Sequence, residues 1–233
     1  MVAIRWFLIT LAIAGCASAG KGNSIIGGLT DAGDALPRQV TLAQTASTSI
    51  TGSNMLVCVH DATGLTSQNS YYRVFVLDDY GLTTTLHVAQ VDFGIELADA
   101  GRGATLQPAQ VQLGTYRTEP GEVMLDPAQI RALSAVDIRI PNGEGTRMTV
   151  PIAADVAPGT NLIVELIIPD GRAAGSVFVI GSNAEGERRP GYMSSEAADC
   201  GLPVLPVPTT MQSIAMQIKA REVDVLLSVT GTH

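Results

Sequence analysis

"TLHVAQVDFGIELA", residues Thr85–Ala98, is the stretch that decides the fold. Its apolar and polar residues alternate, as they do in a β-strand with one buried face. Leu86 and Val88 share one phase of this alternation, whereas Val91 and Phe93 fall in the other. The change of phase predicts a β-bulge or a switch of face within one long strand. The alternation itself is typical of an antiparallel sheet with one solvent-exposed face and one buried face.

Short runs rich in Val, Ile, Leu, Thr and Tyr recur on both sides of this stretch and are bounded by turn residues. About ten short strands at regular spacing predict an all-β fold, an antiparallel sandwich of the jelly-roll type. Besides 85–98, the predicted strands are 38–45, 54–60, 70–77, 109–117, 136–140, 146–152, 161–168, 176–182, 213–220 and 224–231.

Three connections carry specific expectations. "PAQIRALSA", Pro127–Ala135, predicts the one short connecting helix, with Asp126 as its N-cap and proline at its first position. The strands 161–168 and 176–182 predict a hairpin, because Pro169, Asp170 and Gly171 supply turn chemistry between them. The proline-rich "GLPVLPVPTT", Gly201–Thr210, predicts an extended crossing segment.

The composition is that of a globular protein with few aromatic residues. The chain has 233 residues, of which 46% are hydrophobic and only 4% aromatic, so burial must come from aliphatic side chains. The formal net charge of −8 argues against nucleic acid and anionic membrane surfaces as partners, because both repel an acidic protein.

The first residues predict export. Arg5 precedes the apolar run Trp6–Gly15, which is too short to remain as a membrane helix and is followed by small residues. Two cleavage sites are open: before Cys16, which would then be lipidated, or before Gly20. We therefore expect a signal peptide at 1–19, a flexible or extended segment at 20–36 and a β-sandwich domain at 37–233. Membrane association is expected only through a lipid on Cys16, as in an outer-membrane lipoprotein, with the cell surface and the medium as the other destinations.

Cys58 and Cys200 are the cysteines that remain after the signal. Glu196 and Asp199 precede Cys200, and their charge opposes formation of a reactive thiolate. Exported chains use such pairs as disulfides, so we predict a Cys58–Cys200 bond. Two unpaired thiols, or one link to another molecule, are the alternatives.

A search for reaction chemistry finds no protease, hydrolase or phosphate-binding motif. The histidines His60, His87 and His233 are dispersed, so no metal site and no cofactor is predicted. "LDDYG", Leu77–Gly81, has adjacent acids that suit an ordinary turn better than a calcium loop. The sequence therefore predicts a protein that is not an enzyme.

Three stretches together resemble secreted bacterial β-sandwich domains of exported or surface proteins. They are "NSYYRVF" (Asn69–Phe75), "IGSNAEGERRPGYMSSEAADCG" (Ile180–Gly201) and "VLLSVTG" (Val225–Gly231). The resemblance implies a β-sandwich fold and pairing of Cys58, which precedes the first stretch, with Cys200, which lies in the second. Cys16 and the proline-rich segment depart from that group, so the resemblance implies nothing about anchoring.

Two candidate binding surfaces follow from these stretches. In the first, Tyr71 and Tyr72 point to opposite faces of a strand, so at most one can stack on a ligand, and Arg73 shares the face of Tyr71. The alternative is that this strand packs internally and Arg73 forms an internal salt bridge. The second surface is the glycine-rich loop "GSNAEGERRPGY", Gly181–Tyr192, and its predicted binding residues are Asn183, Arg188, Arg189 and Tyr192.

Three functions remain open at this point. The first is non-catalytic recognition or adhesion at the cell surface or envelope, with a carbohydrate or protein surface as partner. The second is a structural subunit of an extracellular assembly or filament, with copies of itself as partners. The third is a secreted hydrolase whose carboxylates, Asp92 and Glu96, meet in three dimensions.

Overall fold

Two antiparallel sheets face each other across the main hydrophobic core. The computed structural model describes residues 37–54, 57–117, 124–195, 211–213 and 224–233. No helix in these ranges is long and apolar enough to cross a membrane. Several predicted features lie outside the described residues: the signal peptide (1–19), the lead-in (20–36), Cys16, Cys200 and the proline-rich stretch 201–210.

The first sheet has five strands and the second has seven. The first contains β1 (Gln39–Ala43), β3 (Leu86–Asp99), β7 (Gly143–Val156), β9 (Val177–Ile180) and β14 (Leu227–Thr232). The second contains β2 (Asn69–Val76), β4 (Leu106–Tyr116), β5 (Met124–Leu125), β6 (Ile130–Pro141), β8 (Asn161–Ile168), β11 (Tyr192–Ser195) and β12 (Met211–Ser213). A separate pair joins β10 (Ser182–Asn183) to β13 (Asp224–Val225).

The longer strands pair in a nested order. Of the described strands with five residues or more, the first pairs with the last (β1 with β14) and the second with the seventh (β2 with β8). The third pairs with the sixth (β3 with β7), and the fourth with the fifth (β4 with β6). Successive pairs alternate between the two sheets. This is the strand arrangement of a jelly roll, and it confirms the predicted all-β antiparallel sandwich.

The bulge predicted in the opening stretch is present in β3. The register between β3 and β14 shifts at Ala89, which is one extra residue in β3 between the paired Val88 and Gln90. Because one extra residue is accommodated there, Leu86 and Val88 before the shift and Val91 and Phe93 after it are all buried in the same core. The change of phase in the sequence therefore keeps one long strand facing one core.

The second sheet is apolar on both of its faces. Tyr71 and Phe75 lie in the main core between the sheets, whereas Tyr72 and Val74 belong to a second cluster on the opposite face. The alternation of strand side chains predicted this division between Tyr71 and Tyr72. The second cluster also contains Tyr192.

The predicted helix at Pro127–Ala135 is wrong. Only Pro127–Gln129 form a single 3-10 turn, and β6 begins at Ile130. Asp126 does cap this turn, because its Oδ1 accepts a hydrogen bond from the Ala128 N–H at 3.0 Å. From Ile130 onward, the long ladder with β4 satisfies the backbone and outweighs the local helical pattern.

The predicted strand 54–60 is wrong for the part of it that the structure describes, 54 and 57–60. Only Val59 there forms a bridge, with Thr66. The buried Asn69 side chain takes the place of a partner strand at Cys58. Its Oδ1 accepts from the Cys58 N–H at 3.2 Å, and its Nδ2 donates to the Cys58 carbonyl at 3.1 Å. The predicted strand 213–220 lies outside the described residues except for Ser213, which ends β12.

The predicted hairpin between 161–168 and 176–182 is also wrong. The first of these strands is β8, between β2 and β4, whereas the second is β9, which pairs with β3 in the other sheet. The turn at Gly171 therefore carries the chain across the sandwich, and its N–H donates to the Thr66 carbonyl at 2.8 Å. Both strands bury apolar side chains in the same core, so their pattern does not distinguish paired strands from strands in facing sheets.

The chain enters the loop after β9 through a close backbone contact. Gly181 donates its N–H to the Gly94 carbonyl at 2.9 Å, and Gly94 donates to the Leu226 carbonyl at 3.0 Å. A Cβ on Gly181 would lie 2.8 Å from the Gly94 backbone, closer than ordinary packing permits. Glycine at 181 and 94 thus fixes where the loop that follows leaves the sandwich.

Candidate functional site

A cleft of about 700 Å³ lies beside the end of β1. Three segments form its walls: the end of β1 with the residues that follow it, the 3-10 turn Leu77–Tyr80, and part of the glycine-rich loop. Its lining residues are Thr41, Ala43, Gln44, Thr45, Ala46, Tyr80, Glu185, Gly186, Glu187 and Arg188. This volume lies within the usual range of small-molecule sites.

A fully buried arginine lies behind the cleft wall. Arg73, in the middle of β2, is 0% exposed and points into the main core beside Tyr71 and Phe75. Its Nη1 donates to Glu187 Oε2 at 2.5 Å and to Gln44 Oε1 at 3.2 Å. Both acceptors line the cleft, so the guanidinium joins the interior of the sandwich to two sides of the site.

Backbone carbonyls accept the other hydrogen bonds of this guanidinium. Arg73 Nη1 donates to the Arg189 carbonyl at 2.8 Å, and Nη2 donates to the Val225 carbonyl at 2.7 Å. The side chain of Gln44 donates in turn to the Val74 carbonyl. Charge-assisted hydrogen bonds of this kind fix the position of every group they reach.

Backbone hydrogen bonds close the wall of the cleft. The Arg188 N–H donates to the Gln44 carbonyl at 2.8 Å, and the Ala46 N–H donates to the Gly186 carbonyl at 3.1 Å. The buried carboxylate of Asp224 accepts the Gly186 N–H at 2.7 Å. Residues 44–46 and 185–188 therefore form a short ribbon pinned by hydrogen bonds within the chain.

The 3-10 turn is attached to the same ribbon. Arg189 Nε and Nη2 donate to the two carboxylate oxygens of Asp79 at 2.6 and 3.0 Å. The Tyr80 hydroxyl donates to the Ala43 carbonyl at 2.9 Å, and its ring packs at a tilt against Phe75. These contacts fix the Tyr80 ring in the cleft wall. The acidic residues of Leu77–Gly81 thus belong to a turn, and one of them forms an ion pair.

Three ionisable groups of the segments that form the wall have shifted pKa values. Burial raises the pKa of the Glu187 carboxyl above its usual range, although the Arg73 guanidinium opposes the shift. Burial likewise raises the pKa of Tyr80 to about 12, so its hydroxyl stays protonated and can donate at neutral pH. The hydrogen bonds from Arg189 hold the pKa of Asp79 below its usual range.

The structure buries four of the six predicted binding residues. Tyr71, Arg73 and Asn183 are 0% exposed and Tyr192 is 2% exposed. A side chain without accessible surface cannot contact a ligand from solvent, so the expectation of an exposed binding face at these positions is corrected. Arg73 instead forms an internal salt bridge, which is the alternative prediction for this strand.

The other two predicted residues are adjacent in the sequence but differ in role. Arg188 is exposed and lines the cleft. Arg189 is engaged by Asp79. Asn183 supports the region from inside, where its Nδ2 donates to the carbonyls of Ser47 and Ser49 at 3.1 and 3.2 Å. Of the predicted set, Arg188 is therefore the residue with both exposure and a place in the cleft.

The carboxylates considered for hydrolysis are held by separate neighbours. Asp92 accepts hydrogen bonds from Thr149 and from Gln90 Nε2, the latter at 3.1 Å. Glu96 is buried, and its Oε1 accepts the Ser53 N–H at 2.7 Å. Neither residue lines the cleft.

The histidines do not gather with other ligands. His60 Nε2 lies 3.5 Å from Asp170, and His87 Nδ1 lies 2.7 Å from Asp155. Within the described ranges, no group of three or more His, Cys, Asp or Glu side chains is arranged to hold a metal ion.

Sequence reasoning missed most of the cleft. Thr41, Gln44 and Thr45 lie in or next to a predicted strand and look like ordinary strand residues, and Tyr80 looks like part of a turn. They meet Glu185–Arg188 only because the fold joins segments more than a hundred positions apart in the chain, as the bridge between Thr45 and Glu187 shows. The acids and arginines inside "NAEGERR" were the one local signal.

No protein-family model and no curated protein matches the chain. Among solved structures, it is similar to the crystal structure of the cysteine protease and lectin-like domains of Cwp84, a surface-layer associated protein of Clostridium difficile. The TM-score is 0.46 at 10% identity, over 78% of this chain and 36% of that chain. The chain thus spans about a third of the length of that protein, and a likeness at this level carries no inference about function.

Replacing Arg73 tests the buried network. We expect Arg73→Met to lower the free energy of unfolding by about 3–5 kcal/mol, because Glu187 would be left as an unpaired buried carboxylate. The loss should be larger at pH 7 than at pH 4. Burial raises the folded pKa of Glu187, so the fold favours its protonated form, and the stability from this form is lost as pH rises through the folded pKa. Without Arg73, its guanidinium no longer offsets this loss. Urea unfolding monitored by tyrosine fluorescence measures both effects.

The matched control is Arg139→Met, on the exposed face of β6, which should change stability by less than about 0.5 kcal/mol. If Arg73→Met does not fold, adding Glu187→Gln should restore folding. Equal stability of the two arginine variants would contradict the role assigned to Arg73.

Proposed function

We propose that the protein is an exported, non-catalytic recognition module of the bacterial cell surface or envelope, and that it binds its ligand in the cleft beside β1. The observation that carries this proposal is the pinned wall of the cleft, in which buried Arg73 fixes both Glu187 and Gln44. A site that is held in shape before binding loses less entropy when its ligand arrives. Loops fixed on a rigid sandwich are common places for recognition.

The chemistry of the wall supports binding rather than turnover. Glu187 accepts a hydrogen bond from Arg73, and the Tyr80 hydroxyl is engaged with a backbone carbonyl. Both groups are therefore used to hold the wall in place. A secreted hydrolase built on Asp92 and Glu96 is an alternative, but it would have to act outside this cleft.

Export rests on the signal-like first residues and on the expected pairing of Cys58 with Cys200. Cys58 is 1% exposed, which suits a structural cysteine better than a reactive one. Lipidation of Cys16 would anchor the protein in the outer membrane, whereas cleavage before Gly20 would release it. The acidic net charge supports partners other than nucleic acid.

A structural subunit of an extracellular assembly is the second candidate, and the sheet edges favour it. Among the described strands, β6 pairs only with β4 and β7 only with β3, so each presents a long outer edge. Edges of this length can pair with another copy. Arg139 on β6 and Arg147 and Pro151 on β7 oppose such pairing, because charges and prolines blunt an edge. Recognition is therefore the first candidate.

Intact mass of the protein secreted from a bacterial host tests export. We expect a chain shortened at Cys16 or Gly20 and lighter by two hydrogen atoms than the reduced form, because of one disulfide. A diacylglycerol on Cys16 would add its mass to the first product only. Alkylation of both Cys58 and Cys200 in the native, unreduced protein would contradict the disulfide.

Binding tests the cleft. Arrays of glycans and of envelope proteins should yield at least one ligand whose affinity falls roughly tenfold or more in Arg188→Ala, since a hydrogen bond to a charged group is lost. Arg139→Ala, which changes another exposed arginine on β6 outside the cleft lining, is the matched control and should bind normally. Equal binding by the two variants would contradict the site, and a stable polymer in light scattering would favour the assembly.

A further inference from the structure

The cleft contains two opposite charges that the network leaves unengaged. Glu185 and Arg188 are exposed, both line the cleft, and they lie three residues apart in one pinned ribbon. Among the described residues, neither side chain has an ion-pair or hydrogen-bond partner, although the backbone N–H groups of both residues donate hydrogen bonds. The neighbouring charges differ, because Glu187 is paired with Arg73 and Arg189 with Asp79.

The two unengaged groups have complementary hydrogen-bonding capacity. The carboxylate of Glu185 only accepts hydrogen bonds, and the guanidinium of Arg188 only donates them. Thr41 and Thr45 add hydroxyl groups to the same lining, and these can do both. A ligand that satisfies all of these groups must itself carry several groups that donate and accept.

Tyr80 adds an apolar surface to this polar rim. Its ring is half-buried, lines the cleft and is fixed between its hydrogen bond to Ala43 and its contact with Phe75. A ring fixed in this way can take a flat apolar patch of a ligand without losing conformational freedom.

The charges around the cleft argue against a strongly charged ligand. Three arginines are offset by four carboxylates; these groups are Arg73, Arg188, Arg189, Asp79, Glu185, Glu187 and Asp224. The whole chain carries −8. A polyanion is therefore repelled at long range, whereas a polycation is attracted by the net charge but meets the positive Arg188 at the rim.

We propose that the ligand is a neutral carbohydrate. Neighbouring hydroxyls of one sugar ring accept from Arg188 and donate to Glu185, and the apolar face of the ring lies on Tyr80. Alternating hydroxyls and an apolar C–H face are the features that the rim and the ring require. This inference rests on the proposed recognition function and specifies the class of ligand.

Titration calorimetry on the full chain tests it, with soluble neutral oligosaccharides of glucose, galactose, mannose and N-acetylglucosamine as probes. We expect one neutral series to bind and Glu185→Gln and Arg188→Ala each to weaken it by roughly tenfold or more. The matched controls are Glu144→Gln and Arg139→Ala, exposed residues of β7 and β6. Affinity for the neutral sugar should change by less than about twofold between low and high salt, because no net charge is neutralised.

The remaining outcomes separate this inference from the function beneath it. Uronate counterparts of the same sugars, amino-sugars and envelope peptides serve as the charged probes. Tighter binding of one of these, dependent on salt and on Arg188, would overturn the neutral ligand and leave recognition in the cleft intact. Binding that survives both cleft variants, or no binding by any probe at millimolar concentration, would overturn both.

Discussion

The positive charge of Arg73, buried inside the sandwich, is the constraint on which the rest of the structure depends. A guanidinium cannot lose its proton in a protein, so burial obliges the fold to supply acceptors. The fold supplies the carboxylate of Glu187, the amide oxygen of Gln44 and two backbone carbonyls. These acceptors come from three separate parts of the chain. A single residue of β2 thereby determines where the segment after β1, the glycine-rich loop and β13 must meet.

That convergence explains why a cleft exists at this edge of the sandwich. A glycine-rich loop outside a sheet would ordinarily sample many conformations. Here the loop passes over the buried charge, and the ribbon formed by 44–46 and 185–188 holds it against the end of β1. Since Glu187 is paired with Arg73 and Arg189 with Asp79, the residue between them, Arg188, is left unengaged at the surface. In this account, recognition by Glu185 and Arg188 is a consequence of how Arg73 and Arg189 are paired.

The sequence predicts those parts of the structure that depend on local periodicity. The alternation in 85–98 predicts β3 and its bulge, and the spacing of apolar runs predicts the class of fold. The sequence does not predict the structure at positions where contacts with distant segments decide the conformation. Residues 130–135 read as helix but pair with β4, and Asn69 replaces a strand partner at Cys58. The partner of Arg73 lies 114 positions away, so no local pattern could identify Glu187.

A double-mutant cycle between Arg73 and Glu187 tests the central claim most directly. It compares the unfolding free energies of the natural protein, Arg73→Met, Glu187→Gln and the double variant. If the buried charge holds the cleft wall, the two residues should show a favourable coupling of at least about 1.5 kcal/mol at pH 7, as groups in direct contact do. Additive effects, with coupling near zero, would show that the two residues act independently and would contradict the account.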